Sequence, residues 1–479
     1  MTATDPDAIG VAHEAGLSAA ERRARGAHFT PPAVADHLAA LALAGMGPAA
    51  SVCDPACGAG AMLLAAGRAL AARGGAPAAI AAEQLWGIDQ DGDTIAAARA
   101  AIVAWSGVDP GDHLVVGDGL SAGDRWPARF DVVLGNPPFL NQLQRATLRS
   151  TPVPDALAGC VRPYTDTAWL FLAAAPALVR AGGRVVLIQP QSIAAARDAA
   201  PVRAMVERSA TVESLWSTPE QVFAANVRVC APVLRVGAPA AAPTRSWSAL
   251  LGLPDAPPRT APLRSERRLG LLASATAGFR DEYYGITPHV VDDRDGSAPR
   301  LISTALVEPG RFVWGERTAR IAGRKVAAPR VDLDALEHGG PERVVRWVRA
   351  RLVPKVLVAT QTRVVEAAPD LDGTTVPLTP VISVEGGDPW LVAAALTAPP
   401  ISAWALTEFG GTALSPGAIK LAARHLLDVP LPPDERRWRE GAVLLERGEL
   451  LRAAEVLNAA HGGSDALLEW WARRARVAT

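Results

Sequence analysis

Through the first half of the chain, short runs of β-branched residues alternate with longer Ala/Leu-rich segments whose apolar positions recur at helical spacing. Strand period followed by helix period, repeated, is the pattern of a parallel sheet flanked by helices, so a doubly wound α/β domain is expected. Its strands should lie at Ser51 to Cys53, Leu85 to Ile88, His113 to Val116, Phe130 to Leu134, Arg184 to Ile188, Ser214 to Trp216 and Val229 to Val236. Between Gly237 and Leu263 six prolines interrupt the periodicity and mark a boundary. Short strands and turns follow from about Ser265. After Pro432-Pro433 the pattern becomes helical, with Asp434 able to cap and Leu444, Leu451 and Val443, Leu450, Leu457 recurring on one side. Gly462-Gly463 should end that helix before a last one from about Ser464. The expected organisation is a doubly wound domain over 1–236, a boundary segment over 237–264, a mixed α+β domain over 265–433 and a helical tail over 434–479.

Length and composition agree with two domains, because 479 residues with 49% hydrophobic content exceed what one core usually supports. No continuous apolar segment follows a basic start, and every longer Ala/Leu/Val run is interrupted by Gly, Pro or a charge. A cytoplasmic protein without a membrane span is expected. Of the four cysteines, Cys53 and Cys57 form a C-x3-C pair with no second pair to complete a zinc site, so neither metal nor disulfide is expected. A net charge of −1 excludes a uniformly basic surface. The window 311–330 is the exception, with Arg311, Arg317, Arg320, Arg324, Lys325 and Arg330 against Glu316 alone. It is either a phosphate track or a solvated face in an Arg-rich chain.

Candidate chemistry sits at the ends of the expected strands. A strand ending at Cys53, the turn Asp54-Pro55-Ala56-Cys57-Gly58-Ala59-Gly60 and a helix-forming run from Ala61 make a nucleoside-cofactor arrangement, in which Gly58 and Gly60 let the backbone approach a ligand. A dinucleotide fingerprint would need a third glycine where Leu63 stands, and Asp54 would repel a pyrophosphate. S-adenosylmethionine, cationic at its sulfur and its amino group, suits that acid better. The next strand end carries Asp89, able to accept both ribose hydroxyls, and the following one Asp118, able to accept from an adenine amine. Asn136-Pro137-Pro138-Phe139 comes directly after the strand ending at Leu134. An exocyclic amine on a base is a poor nucleophile because its lone pair is delocalised into the ring. The Asn136 side-chain oxygen and the Pro137 carbonyl can each accept one of its N–H groups, while Phe139 stacks on a base drawn out of the duplex.

With this motif order the sequence resembles the gamma class of DNA N6-adenine methyltransferases, most closely the TaqI type. Gly26 to Pro32 looks like that family's N-terminal segment, which places Thr30 near the methionine part of the cofactor. The resemblance makes Asp54 to Gly60 the cofactor loop, Asp89 the ribose ligand, Asp118 the adenine ligand, Phe171 an edge for the cofactor's adenine, and Asn136 to Phe139 the catalytic loop. Phe223 falls where the family places a second aromatic against the flipped base. The second half resembles a target-recognition domain more loosely, through Lys355 to Val365 and Thr407 to Leu431. Gln361, Thr362 and Arg363 there, with Arg317, Arg320, Arg324 and Lys325, are the candidates for contact with double-stranded DNA. The loop ends in Phe139 where many members have tyrosine, and stacking needs only the ring.

The three lysines, Lys325, Lys355 and Lys420, all lack an acid two residues before them. A metal-dependent nuclease is therefore not expected here, and any cleavage in a restriction or phage-defence system would belong to a separate subunit. Two other readings share parts of this pattern. An RNA guanine-amine or protein glutamine methyltransferase would use the same Asn-Pro-Pro-Phe loop but usually lacks the Thr30 segment and a second domain. A non-catalytic DNA-binding scaffold would have no need of Asn136.

Overall fold

Strand-helix alternation in the first half of the chain folds into an eight-stranded sheet, seen in a computed structural model. The structure describes residues 5–16, 30–139, 153–218, 228–237, 246–252, 255–258, 263, 265–410, 413 and 417–476, in two units, Met1–Gly252 and Leu253–Thr479.

The sheet of the first unit contains β1 (Val52–Asp54), β2 (Leu85–Asp89), β3 (Leu114–Val116), β4 (Phe130–Gly135), β5 (Val179–Leu187), β6 (Gln189–Pro190), β7 (Ala210–Ser217) and β8 (Val229–Val236). Their order is β3-β2-β1-β4-β5-β8-β6, with β7 also paired to β8. The first five run parallel, and β8 runs antiparallel to β5, β6 and β7. All seven expected strands are present. β5 starts earlier than expected because Val179 pairs with Phe130 ahead of an irregularity in register. Leu38 and Ala39 of the helix Pro32–Ala42 and Leu63 and Leu64 of the helix Ala61–Ala71 are buried in a core with Val52, Val132 and Leu134. Those helices clamp β1 and β4. Chain order reverses between these two strands, and in a doubly wound sheet the crevice outside the carboxyl ends at such a point is where ligands bind.

The second unit is mixed α+β. One four-stranded sheet has the order Val290–Asp292, Pro329–Val331, Arg300–Ile302, Thr375–Pro377; the other runs Glu366–Asp370, Lys355–Ala359, Ile382–Glu385, Ser274–Ala277. The C-terminal helices belong to this unit, since Trp438, Leu457, Trp470 and Trp471 are buried in one core with Val356, Val358 and Ile382. Asp434 caps as expected, its side chain accepting from the Arg437 amide at 3.0 Å. The helix expected to run on to Gly462 is instead two helices, Glu435–Glu446 and Leu450–Ala460. Gly448, at a φ of +76°, turns the chain between them and resets the helical phase, which leaves Val443 43% exposed while Leu444 and Leu457 are buried. No single helix among the described residues is long and apolar enough to cross a membrane.

A buried ion pair joins two strands of the second sheet. Lys355 Nζ donates to Asp370 Oδ2 at 2.5 Å and to the Val353 carbonyl at 3.1 Å, with the lysine and aspartate side chains 0% and 2% exposed. Asp370 also accepts from the Thr375 amide and hydroxyl at 3.0 and 2.6 Å. Burial alone would raise its pKa, but the hydrogen bonds from Lys355 and Thr375 outweigh it and hold the carboxyl below its ordinary value. Lys355→Met should cost about 3–5 kcal/mol, because it strands a buried carboxylate, whereas replacing both partners by apolar residues should cost much less. Denaturant unfolding of the three proteins checks the difference; equal losses would contradict it.

Candidate functional site

Four carboxyl-terminal strand ends of the first sheet converge. From β1 the chain enters Asp54 to Gly60, where Gly58 and Gly60 take φ values of +53° and +89° and Gly60 precedes the helix Ala61–Ala71. These left-handed positions explain glycine at both. Asp54 is 1% exposed, and its Oδ1 accepts from the Ala56 amide at 3.0 Å. Burial pushes this carboxyl up to about 8 from an ordinary 3.8; the Ala56 amide opposes the rise and the Asp89 carboxylate adds to it. Burial likewise raises the thiol of Cys57, whose amide donates to the Ile88 carbonyl at 3.0 Å.

At the end of β2, Asp89 Oδ2 accepts from the Gly58 amide and Oδ1 from the Asp91 amide, both at 3.0 Å. After β3, Asp118 Oδ1 accepts from the Leu120 amide at 3.0 Å and caps a short turn. Gly119 in that turn lies so close to the cofactor loop that a Cβ would sit 1.7 Å from the Pro55 carbonyl oxygen and 2.8 Å from Phe171 Cε1. The loop Asp54 to Gly60, the Asp118 turn and the buried Phe171 ring therefore touch. Sequence reasoning passed over Gly119 and also Gly135 at the end of β4, where a Cβ would stand 2.4 Å from Asp54 Oδ1. Only glycine admits this approach, and the signal was its place directly after a β-branched strand.

Asn136 follows Gly135, so the Asn-Pro-Pro-Phe loop leaves β4 beside Asp54. Its Nδ2 donates to Thr30 Oγ1 at 3.0 Å, and Thr30 is 3% exposed. Pro137 is buried, while Asn136, Pro138 and Phe139 are partly exposed, the Phe139 ring packing against the first unit's core. Thr30, Asp54, Pro55, Ala56, Cys57, Gly58, Gly60, Asp89, Asp118, Phe171 and the loop 136–139 thus gather at one edge of one sheet. Phe223 lies outside the described residues. Among the described residues no group of three or more His, Cys, Asp or Glu is placed to hold a metal ion.

The candidate DNA-contacting residues lie in the second unit, in two places. Arg320, Arg324 and Lys325 are exposed on the hairpin Ala319–Ile321 and Arg324–Val326. Arg317 is not a free cation there: it pairs with Glu308 at 2.5 Å, and Arg311 pairs with Glu308 and Glu316, each at 3.0 Å. Glu308 stands outside the window whose charge looked so basic, and an antiparallel pairing brings it in. Arg330 is tied to the backbone carbonyls of Asp293, Arg294 and Ala298. Gln361, Thr362 and Arg363 occupy a separate turn, in which Gln361 takes a φ of +69° and its amide donates to the Ile419 carbonyl at 2.9 Å.

A doubly wound sheet whose switch point carries a glycine turn and successive acids has the fold of the S-adenosylmethionine-dependent methyltransferases. Residues 4–241 match the N-6 DNA methylase family. No curated protein matches the sequence. The fold of the Type IIL restriction-modification enzyme MmeI, solved in complex with DNA, is similar to 98% of this chain and 81% of that one at 14% identity and a TM-score of 0.62. The type IIG restriction endonuclease BpuSI covers 98% of this chain and 68% of its own at 12% identity and a TM-score of 0.41. For the M protein of the Type I restriction enzyme EcoKI the values are 44%, 44%, 17% and 0.35.

The raised Asp54 carboxyl has a sign that can be measured. It is protonated in the folded protein up to about 8 but ionised in the unfolded chain above its ordinary 3.8. Its contribution to stability is therefore full below about pH 4 and is lost as pH rises through about 8. A cationic ligand favours the ionised form, so affinity for S-adenosylmethionine should rise with pH over that window and level off above it. Calorimetric titration from pH 6 to 9 checks this, with Asp54→Asn as the reference that should lack this component.

Proposed function

We propose that the chain is an S-adenosylmethionine-dependent methyltransferase that modifies the N6 amine of an adenine flipped out of double-stranded DNA, as the modification enzyme of a restriction-modification or phage-defence system. The observation that carries this reading is the position of Asn136 and Pro137 at the end of β4, next to Asp54 across the switch point. It puts two acceptors for an amine beside a buried carboxyl suited to a cation. The motif order, from the Thr30 segment to the Asn-Pro-Pro-Phe loop, supports the gamma class within the family.

The residues present fit the cofactor. Asp54, with Asp89 as its charged neighbour, favours a cation over an anion; Asp89 is a carboxylate at the next strand end, the chemistry that suits ribose hydroxyls; Asp118 and Phe171 flank the turn that would take the adenine. S-adenosylmethionine, when bound, would supply an electrophilic methyl group, its sulfur–methyl bond breaking to leave a neutral thioether. Asn136 Oδ1 and the Pro137 carbonyl accept the two N–H groups of the target amine and draw its nitrogen toward tetrahedral geometry, which frees the lone pair to take the methyl. The surplus proton on that nitrogen then passes to water. Phe139 holds the base by stacking, and the paired prolines stiffen the loop.

DNA contact falls to the second unit under this reading. Arg320, Arg324 and Lys325 suit phosphates, with Arg317 reserved in its ion pair, while Gln361, Thr362 and Arg363 have the chemistry to contact base edges. The MmeI likeness supports this assignment by extending through the second half of the chain.

Asn136→Ala should lower methyl transfer to DNA at least about 10²- to 10³-fold, the scale for losing an oriented polar group at a reacting centre. Its affinity for S-adenosylmethionine should stay within about twofold. Radiolabelled transfer and calorimetry on the same preparations check this. Loss of both together would mean that the loop supports the fold and not the reaction.

A further inference from the structure

We propose that Thr30 is a positioning residue for Asn136, its hydroxyl anchoring the side-chain amide at the end of β4 so that the amide is held in place to meet the substrate amine. The inference deepens the reading above and rests on it for the role of the oxygen.

An asparagine amide is nearly symmetric in shape and opposite in chemistry at its two ends. A half-turn about its last torsion, which is intrinsically broad, replaces an acceptor by a donor. Facing an amine that brings two N–H groups, the wrong end repels, so the loop needs an anchor that holds the side chain; a threonine hydroxyl accepts from the amide nitrogen while the amine's own N–H groups select the oxygen. Proline stiffens the backbone of the loop but does nothing for the Asn136 side chain. Thr30 Oγ1 lies 3.0 Å from Asn136 Nδ2, and Thr30 is 3% exposed. Its β-branched side chain has few rotamers. The residue stands immediately before Pro31 and the helix Pro32–Ala42, whose Ala35, Leu38, Ala39 and Ala42 are buried in the core. The hydroxyl is thus delivered by one of the elements that clamp β1 and β4. Thr30 and Asn136 are 106 residues apart in sequence, so only the fold brings the anchor to the amide. The role is distinct from contact with the methionine part of the cofactor, which the family resemblance implies.

Thr30→Val removes the hydroxyl at nearly constant volume, and Thr30→Ser restores it. The chain has four asparagines, at 136, 141, 226 and 458, so selective nitrogen-15 labelling yields few side-chain amide signals, and Asn136→Ala assigns the relevant pair. The Asn136 amide protons should shift in Thr30→Val and stay near wild type in Thr30→Ser. At saturating DNA and cofactor, kcat should fall about ten- to a hundredfold in Thr30→Val, the scale of a misplaced reacting group, and recover in Thr30→Ser. The cofactor Kd should remain within about twofold. An unmoved Asn136 signal overturns the inference whatever the activity, as does a raised cofactor Kd with kcat unchanged. A wild-type chain that transfers no methyl to DNA removes the reading on which the catalytic part rests, and the amide signal still decides the contact. If Val at position 30 prevents folding, Thr30→Ala serves as the variant without a hydroxyl.

Discussion

The site depends on one constraint, the burial of the Asp54 carboxyl where strand order reverses between β1 and β4. A carboxyl with 1% exposure and Asp89 as its charged neighbour is held in its neutral form until about pH 8, and a cation beside it would favour the ionised form. That burial demands space. Gly135 and Gly119 supply it, one against Asp54 Oδ1 and the other against the Pro55 carbonyl, and neither position admits a Cβ without displacing the loop. The same glycine that seats Asp54 is followed at once by Asn136, so one strand end fixes the separation between the Asp54 carboxyl and Asn136.

The second unit handles buried charge in the opposite way. Lys355 and Asp370 compensate each other inside a sheet, and four further protein groups hydrogen-bond to the pair. A satisfied pair of this kind fixes strand register and offers nothing to a ligand.

Much of the first unit was legible in the sequence because parallel strands between helices carry strong period changes, and because an acid at a strand end stays recognisable without knowledge of neighbours. Asp54, Asp89 and Asp118 were read in this way, and Asn136 from the Asn-Pro-Pro-Phe motif directly after a strand. The close approaches of Gly119 and Gly135 and the Thr30–Asn136 hydrogen bond were not legible, since each depends on contacts between distant segments. In the second unit, local counting overstated the basic window at 311–330, because Glu308 arrives from a neighbouring strand to pair with Arg311 and Arg317. Helical periodicity carried past Gly448 for a related reason: a single positive φ resets the phase that the pattern assumes to be continuous.

The most direct measurement is modification-sensitive long-read sequencing of DNA from a methylation-deficient bacterial host that expresses this chain, beside the same host expressing Asn136→Ala. N6-methyladenine at one short motif, absent from the Asn136→Ala DNA, is the result expected of an amine acceptor at the end of β4. Unmodified DNA from a host whose purified protein is folded and binds S-adenosylmethionine would contradict DNA adenine as the substrate of this chain acting alone.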